Sequence, residues 1–461
     1  MRVIRGGAGM ARTKAVLGDA RRDERAEWVL ARIVASGSLQ LREIGGTRAG
    51  EIAAHRLLSC ADVEPAKVLA PHVARTGEAC KGLRVVAVQD TSEINFDRSR
   101  RPVDGLGPAG NPGIYGFFVH PVVVVDAKDE ALLGVAGAQI WTRDEKPTPM
   151  HNAIPFDQKE SRRWQAGAEM AAEHLAPVAA QVVVVQDREG DIYPVFTRRP
   201  EAVELVVRAA QDRVLAGGGR LFSAPAKWPK LGTSRVKVQS RRPGDKGRIA
   251  TVAIKAGIVT LQRPKSAPNR GEPPTLTLGL VEVREAAAPK GAGKPLLWHL
   301  LTTLPVTTLA EAEDVVRIYR LRWRIEEVFR IMKRDGLDIE SSQLETAGRL
   351  FNLAAFALVA AARTIQLVDA RDGSTRPATD VIAPEEIEAA AAISTTLEGA
   401  TPRQKNPHEK GSLAWLSWIV ARLGGWNCYY KPPGPKTMAR GLDRLIDRIA
   451  GYRIATGSPN V

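Results

Sequence analysis

The chain has 461 residues, too many for one compact core, so its length predicts roughly two to four domains. Its 66 lysines and arginines outnumber its 51 acidic residues, and the net charge of +15 favours a polyanionic partner such as nucleic acid, although basic enzymes without one exist. Three scattered cysteines without a Cys-x-x-Cys pair, and no apolar run of about 18 residues, argue against a zinc site and a membrane span; we expect a cytoplasmic protein with no membrane partner.

Residues 1–75 are typical of a small helical domain. Asp19 or Asp23 can cap a first helix that ends at Ser36-Gly37, and further helices are expected at Ile52–Ser59 and from Pro65 to Ala74. The first helix is basic, so it faces either DNA or solvent. Its basic residues include Arg21, Arg22, Arg25 and Arg32.

Short apolar runs from Arg84 onward predict the strands of an α/β core. The run Val182–Gln186 is apolar on both faces, which places it at the centre of a mixed sheet. The other predicted elements of this part are strands at Arg84–Gln89, Gly116–Val125, Leu132–Ile140 and Val203–Arg208, and helices at Asp157–Leu175 and Pro194–Arg199.

Residues 212–295 predict an all-β insertion, because alternating runs are separated there by many turn residues. The runs are Arg235–Gln239, Ile249–Lys255, Ile258–Gln262 and Leu276–Val283, and the basic residues are Lys227, Lys230, Arg235, Lys237, Arg241, Arg242, Lys246 and Arg248. The core is expected to resume with a strand at Leu296–Thr302, one long helix at Leu309–Arg334 and an apolar helix at Leu350–Leu367. We therefore expect a core of residues 76–211 and 296–370, followed by a helical region of residues 371–461.

One face of the predicted helix at Leu309–Arg334 collects polar side chains. At about 100° per residue, Tyr319, Arg322, Glu326, Arg330 and Lys333 fall within an arc of roughly 80°. A solvated face with ion pairs would also fit. A lone acid surrounded by cations is, however, what a site for a divalent metal and phosphate groups requires.

Two predicted strands end in an aspartate within the same tripeptide, Val-Gln-Asp, at Asp90 and Asp187. If the strands are neighbours, the two carboxylates meet at one edge of the sheet, and their repulsion implies a divalent metal. Glu326 would be the third ligand. A strand-terminal aspartate is also a common turn former or helix cap.

Four other acids compete for these roles. Asp126 also ends a strand, but the polar segment Asp126–Glu130 favours a turn. Glu189 and Asp191 follow Asp187, which is nearest to the strand end. Glu327 points about 100° away from the cationic stripe.

These candidate site residues and their spacing resemble a known family. The spacing Tyr319-x2-Arg322-x3-Glu326-x6-Lys333 is similar to the Y-R-E-K signature of the DDE transposases of cut-and-paste bacterial insertion sequences. Val-Gln-Asp90-Thr-Ser and Asp187-Arg-Glu-Gly-Asp-Ile-Tyr resemble the family's first and second aspartate motifs. Further similar segments are Leu17–Arg22, Tyr115–Pro121, Asp157–Ser161 with Trp164, Gly424–Trp426 and Pro432–Pro435.

The resemblance implies a ribonuclease-H-like catalytic core with an all-β insertion, a helical N-terminal domain that binds transposon ends and a helical C-terminal dimerisation region. It also implies two Mg²⁺ ions, for which Mn²⁺ can substitute, held by Asp90, Asp187 and Glu326. The expected activity is cleavage of inverted-repeat ends, through a hairpin in the best-known branch, and joining of the 3′-OH ends to target DNA.

The same resemblance implies the DNA contacts. Tyr319, Arg322 and Lys333 would hold phosphates beside a flipped base on which Trp298 stacks, unless Trp298 is a core residue. Arg208 matches a basic DNA-contacting position, and Arg21 and Arg22 lie in the expected end-binding domain. The active form would be a synaptic homodimer, associated with the nucleoid in a bacterial cytoplasm.

Two other functions remain compatible with the residues. A nuclease of the same fold would cut DNA without joining it. A non-catalytic DNA-binding regulator would bind the ends without a metal-dependent product, although such a protein has no use for clustered carboxylates.

Overall fold

The computed structural model describes residues 16–97, 103–110, 112–144, 154–238, 247–265, 271–288, 294–334 and 337–456. Within these ranges the chain forms twelve α-helices and eleven strands, and all of these strands belong to one sheet. The strands are β1 (Arg84–Gln89), β2 (Ser92–Asp97), β3 (Gly107–Pro108), β4 (Ile114–Asp126), β5 (Leu132–Trp141), β6 (Gln181–Gln186), β7 (Glu204–Arg208), β8 (Gly232–Val238), β9 (Arg248–Gln262), β10 (Thr275–Glu285) and β11 (Leu297–Thr302).

The helices of the N-terminal part and the core are α1 (Ala20–Ser36), α2 (Leu41–Gly45), α3 (Arg48–Leu58), α4 (Pro65–Ala79), α5 (Arg163–His174), α6 (Tyr193–Thr197), α7 (Leu309–Arg320), α8 (Trp323–Lys333) and α9 (Ala347–Ala370). The C-terminal helices are α10 (Ile387–Leu397), α11 (Leu413–Leu423) and α12 (Pro435–Thr456).

The centre of the sheet has the strand order β5-β4-β1-β6-β7. β1, β6 and β7 are parallel, whereas β4 pairs antiparallel with both β1 and β5. The two aspartate-bearing strands are neighbours, because Val88 of β1 pairs with Val185 of β6. This mixed sheet with many helices fits the predicted ribonuclease-H-like core.

Helices cover both faces of the central strands, which explains why β1 and β6 are apolar throughout. Val86 and Val88 of β1 lie in the same apolar cluster as α8 and α9. Val85 and Ala87 point to the opposite side, where Ala168 of α5 belongs to the second cluster. Alternate side chains of a strand are therefore buried in two different layers.

The predicted insertion is a continuation of this sheet. β8, β9 and β10 extend it antiparallel beyond β11, in the order β11-β10-β9-β8. The runs at Ile249–Lys255 and Ile258–Gln262 were predicted as separate strands, which is wrong: they are the single strand β9. Gly257 lies mid-strand because the Trp228 ring covers it, and a Cβ there would be 2.9 Å from Trp228 Cε2. The basic residues Arg241, Arg242 and Lys246 lie outside the described residues.

The predicted single helix at Leu309–Arg334 is also wrong, because the structure has two helices, α7 and α8. Thr308 caps α7 with a capping box to Glu311. At the break the hydrogen bonds tighten to i→i−3, with Leu321 N bonding to Ile318 O at 3.0 Å and Arg322 N to Tyr319 O at 3.1 Å. Arg322 therefore stands at the junction of two helices and not within one.

The terminal helices pack together around the core. Asp19 caps α1 as predicted, and the predicted helix at Ile52–Ser59 is α3, which begins four residues earlier at Arg48. Asn352 of α9 donates to the carbonyl oxygens of Leu58 and Val63. α12 packs on both α11 and α1.

Helix α9 is long and apolar enough to cross a membrane by length and composition alone. Its most apolar window is 83% buried inside the protein, as in the core helix of a globular domain.

Candidate active site

Asp90 and Asp187 follow two parallel neighbours, β1 and β6, and lie at the same edge of the sheet. Since Val88 pairs with Val185, the two aspartates, each two residues further along, stand opposite one another. Asp90 Oδ1 accepts a hydrogen bond from Thr91 N at 2.8 Å. The parallel pairing brings together two carboxylates that are 97 residues apart in the sequence.

The guanidinium of Arg322 stands between these aspartates and Glu326. Its Nη1 donates to Asp90 Oδ2 at 2.8 Å and to Glu326 Oε1 at 3.2 Å, and its Nε lies 3.9 Å from Asp187 Oδ2. The Arg322 side chain is only 8% exposed. In the structure, the three predicted site acids thus surround one buried cation.

Tyr319 and Arg208 complete the surroundings of Asp187. The Tyr319 hydroxyl donates to Asp187 Oδ1 at 3.0 Å, and Arg208 Nη1 lies 3.9 Å from the same oxygen. Trp298 is 7% exposed and meets the Tyr319 ring edge-on, with the ring centroids 5.1 Å apart. In this conformation Trp298 therefore packs in the wall behind Tyr319.

Burial and charge shift the pKa values of the site. Burial raises the pKa of Asp90 to about 6, against the lowering effect of Arg322, and the charges of Glu326 and Asp187 raise it further. Burial and the nearby Asp187 raise the pKa of the Tyr319 phenol, which stays protonated. Burial alone would lower the pKa of Arg322, but the surrounding acids raise it above its usual range.

The donor set suits a hard divalent cation, because the three acids offer only carboxylate oxygens. A carboxylate such as Asp90, which burial makes hard to ionise, is stabilised as an anion by a nearby cation. In the described part of the chain, no group of three or more His, Cys, Asp or Glu side chains is already spaced to hold a metal. Arg322 instead donates hydrogen bonds to carboxylate oxygens of these acids, and a metal ion would bind to the same oxygens.

Lys333 lies beside a different acid. Its Nζ donates to the Glu93 carbonyl oxygen at 2.7 Å and pairs with Glu340 Oε1 at 3.0 Å. The Lys333 side chain therefore contacts β2 and the turn after α8, whereas the Arg322 side chain contacts the three acids. The predicted cation stripe is divided between two places.

The competing acids have structural partners. Asp191 is 1% exposed, accepts from Ala210 N and Gln211 N, and pairs with Arg213 at 2.6 Å. Asp126 accepts from Lys128 N at 2.7 Å within the predicted turn. Glu189 pairs with Arg163 and Glu327 with Arg324, each at 2.5 Å. Only Asp187, among the acids after β6, faces Arg322.

Two buried glutamines beneath the aspartates were missed, although the repeated Val-Gln-Asp tripeptide could have indicated them. Gln89 and Gln186 are both 0% exposed. Gln186 Nε2 donates to the Trp164 carbonyl oxygen at 2.9 Å and lies 3.4 Å from the Gln89 amide. In the orientation that satisfies its polar atoms, Gln89 donates to the same carbonyl at 3.0 Å and to His120 Nε2 at 3.3 Å.

This buried network reaches the residue next to Asp90. His120 Nδ1 lies 2.9 Å from the Thr91 hydroxyl, which also accepts from Arg163 Nε at 2.9 Å. Burial, together with the charge of Arg163, holds the pKa of His120 well below its usual range, so its ring is neutral. The network ties the two strand ends together from the side opposite to Arg322.

The two predicted DNA-binding arginines of α1 differ in their surroundings. Arg22 donates to the Leu17 carbonyl oxygen at 2.8 Å and forms an ion pair with Asp62. The side chain of Arg21 is exposed.

A comparison with protein families identifies a matching domain. Residues 157–363 match the family model described as the transposase DDE domain. The matched range includes Asp187, Tyr319, Arg322 and Glu326, and it begins after β1, so Asp90 lies outside it.

Proposed function

We propose that the chain is a DDE-type transposase, because residues 157–363 match the transposase DDE domain, and that Asp90, Asp187 and Glu326 are its catalytic acids. Enzymes of this family cut and join nucleic acids with divalent metal ions. The proposed reaction is cleavage at the inverted-repeat ends of a mobile element, through a hairpin intermediate, followed by transfer of the 3′-OH ends to target DNA.

One observation carries this proposal: Asp90, Asp187 and Glu326 come from three distant parts of the chain and meet at one buried guanidinium. A structural ion pair needs one acid for one arginine, so a surplus of acids at a sheet edge indicates a second cation. Two Mg²⁺ ions held there, or Mn²⁺ in their place, would supply an activated attacking oxygen and stabilise the leaving oxygen.

The neighbouring residues would orient the acids and the DNA backbone. Tyr319 fixes the Asp187 carboxylate by its hydrogen bond at 3.0 Å. Arg322 and Arg208 place two positive charges where a phosphate must come close to three acids. Lys333 would contact a more distant phosphate, beside β2. Trp298 would stack on a flipped base once its ring is uncovered from Tyr319.

The helices outside the core would supply the remaining functions. We propose that residues 1–75 bind the transposon ends and that residues 371–461 form the homodimer contact of the synaptic complex. The insertion, residues 212–295, would add a basic surface along the DNA. Such a protein acts at the nucleoid in the cytoplasm of a bacterium.

The proposal is tested with a plasmid that carries the element's inverted repeats, taken from the DNA flanking the reading frame. With Mg²⁺, we expect nicks at the ends and then joining of the ends to a second DNA, while the variant Glu326→Gln gives neither product. Nicks without joining would indicate a nuclease. End binding without any metal-dependent product would indicate a regulator and would exclude the catalytic role.

Substitutions at Arg21 and Arg22 of α1 are expected to have different effects, the first on DNA binding and the second on folding stability. Arg21→Ala should weaken DNA binding and lower the salt dependence by about one counterion, because an exposed arginine contributes one phosphate contact, while unfolding is unchanged. Arg22→Ala should lower the free energy of unfolding by about 1 kcal/mol, since Leu17 and Asp62 lose their partner. Gel-shift titration in salt and urea denaturation distinguish them. Identical behaviour of the two variants would contradict this assignment.

A further inference from the structure

A cavity of about 330 Å³ opens in the C-terminal region, outside the matched DDE domain. It lies between the end of α9, the segment 402–408, α11 and the segment 426–433. This volume is within the range of pockets that hold one small organic molecule, and it is too small for a helix of a partner protein.

Aromatic and proline side chains form much of its wall. Trp418 of α11 is 5% exposed, and Trp426 is partly buried after the end of α11. The indole Nε1 of Trp426 is buried without a hydrogen-bond partner among the described residues. Pro402, Pro407 and Pro433 line the rest of the apolar surface. Flat apolar faces suit a planar ring.

Cations without acidic partners line the rim. Arg403 and Lys405 are exposed, and neither forms an ion pair with any acid in the described ranges. Asp372 is the one acid in the described lining, and Arg371 already pairs with it at 3.1 Å. Burial holds the pKa of His408 below its usual range, so its ring adds no charge at neutral pH. The rim therefore keeps two cations free for an anion.

We propose that this cavity binds an unpaired nucleotide of single-stranded DNA. The base would pack on the Trp426 and Trp418 side, and the adjacent phosphates would contact Arg403 and Lys405. Aromatic faces beside free cations are the usual means of binding single strands without sequence preference. A base inside a duplex cannot reach such a wall, because it is stacked on both faces and paired along its edge. The site would hold a strand other than the one at the catalytic acids.

The test measures binding of a fluorescein-labelled oligothymidylate to the full chain by anisotropy, in EDTA so that no cleavage occurs. The double variant Arg403→Ala/Lys405→Ala should weaken binding by about tenfold or more. Trp426→Ala should weaken it by roughly 5- to 100-fold, as expected for one lost stacking contact, and Trp426→Phe should restore most of the affinity. Because the assay contains EDTA and measures no cleavage, failure of the catalytic proposal leaves this result unaffected.

The matched control is Lys81→Ala/Lys128→Ala, which removes the same charge from two exposed turns, one before β1 and one after β4. It should retain oligothymidylate binding. Equal loss in both double variants would overturn the proposal, because it would indicate a diffuse electrostatic attraction. Three other results would also overturn it: unchanged affinity of Trp426→Ala, equal affinity for an abasic oligonucleotide, and displacement of the probe by polyglutamate at equal charge.

Discussion

Replacing Arg322 with methionine is expected to make the folding stability of the protein depend on divalent metal. Without the guanidinium, Asp90, Asp187 and Glu326 lose the cation that separates them. Breaking a buried ion pair destabilises a protein by about 3–5 kcal/mol, and we expect about 2 kcal/mol here because the carboxylates are partly exposed. The side chains of the two aspartates are 22% and 27% exposed, and that of Glu326 is 45% exposed.

Metal should restore much of this loss. A ligand that binds only the folded state adds about 2.7 kcal/mol at a concentration of about 100 times its dissociation constant. Urea denaturation of Arg322→Met in EDTA and in MgCl₂ measures the difference, and Arg448→Met, at an exposed arginine of α12, is the control. DNA cleavage should also fall by about 100-fold, since a charge at the scissile phosphate is lost. Equal destabilisation with and without metal would show that the acids do not share a cation site.

The pH dependence of this variant has a definite sign. The pKa of Asp90 rises from 3.8 to about 6 in the folded protein, so folding favours the protonated form. The stability that this group contributes is fully present below about pH 4 and is lost as the pH rises through about 6. Arg322 lowers the pKa of Asp90, so its removal moves the loss to higher pH. In EDTA, Arg322→Met should therefore be closer to the wild type at pH 5 than at pH 7.

The sequence permitted prediction of the strands that carry the aspartates but not of the break before Glu326. Arg84–Gln89 and Val182–Gln186 are apolar on both faces, which only a buried central strand explains, and both are strands in the structure. Leu321 and Arg322, in contrast, are good helix formers, so local preference predicts a continuous helix. The helix breaks where Arg322 meets Asp90 and Asp187, which lie more than 130 residues away in the sequence. A contact of that separation leaves no local pattern.

The same limit explains why Lys333 and Trp298 differ from their predicted positions. A helical wheel places Lys333 on the same face as Glu326, but the two residues lie about two turns apart along α8, and Lys333 reaches Glu93 and Glu340 instead. Trp298 stands on β11, where its ring is covered by Tyr319. No local pattern indicates that contact, because β11 and α7 meet only in the folded protein.

The buried glutamines provide the second large effect. Replacing Gln186 with leucine should reduce the free energy of unfolding by about 1–3 kcal/mol, because the buried Trp164 carbonyl loses one of its two side-chain donors. It should also lower DNA cleavage by about 100-fold, since Asp187 is the next residue and small displacements of catalytic groups have effects of that size. Gly190 packs so closely that a Cβ there would be 2.5 Å from Gln186 Oε1, so the amide has no room to move.

Gln165→Leu is the matched control, because it replaces another buried glutamine, on the helix α5 that packs against β1 and β6. Gln165 is 7% exposed and donates to Glu169 Oε1 at 2.9 Å, away from both aspartates. We expect it to lower stability to a similar extent while cleavage by the folded protein is retained. The double variant Gln89→Leu/Gln186→Leu should be more destabilised than the sum of the single variants, by about 0.5–3 kcal/mol, because either glutamine alone still donates to the Trp164 carbonyl and loss of both leaves it without a side-chain donor. Additive effects, or equal loss of cleavage in Gln165→Leu, would show that the two amides stabilise the sheet without positioning Asp90 and Asp187.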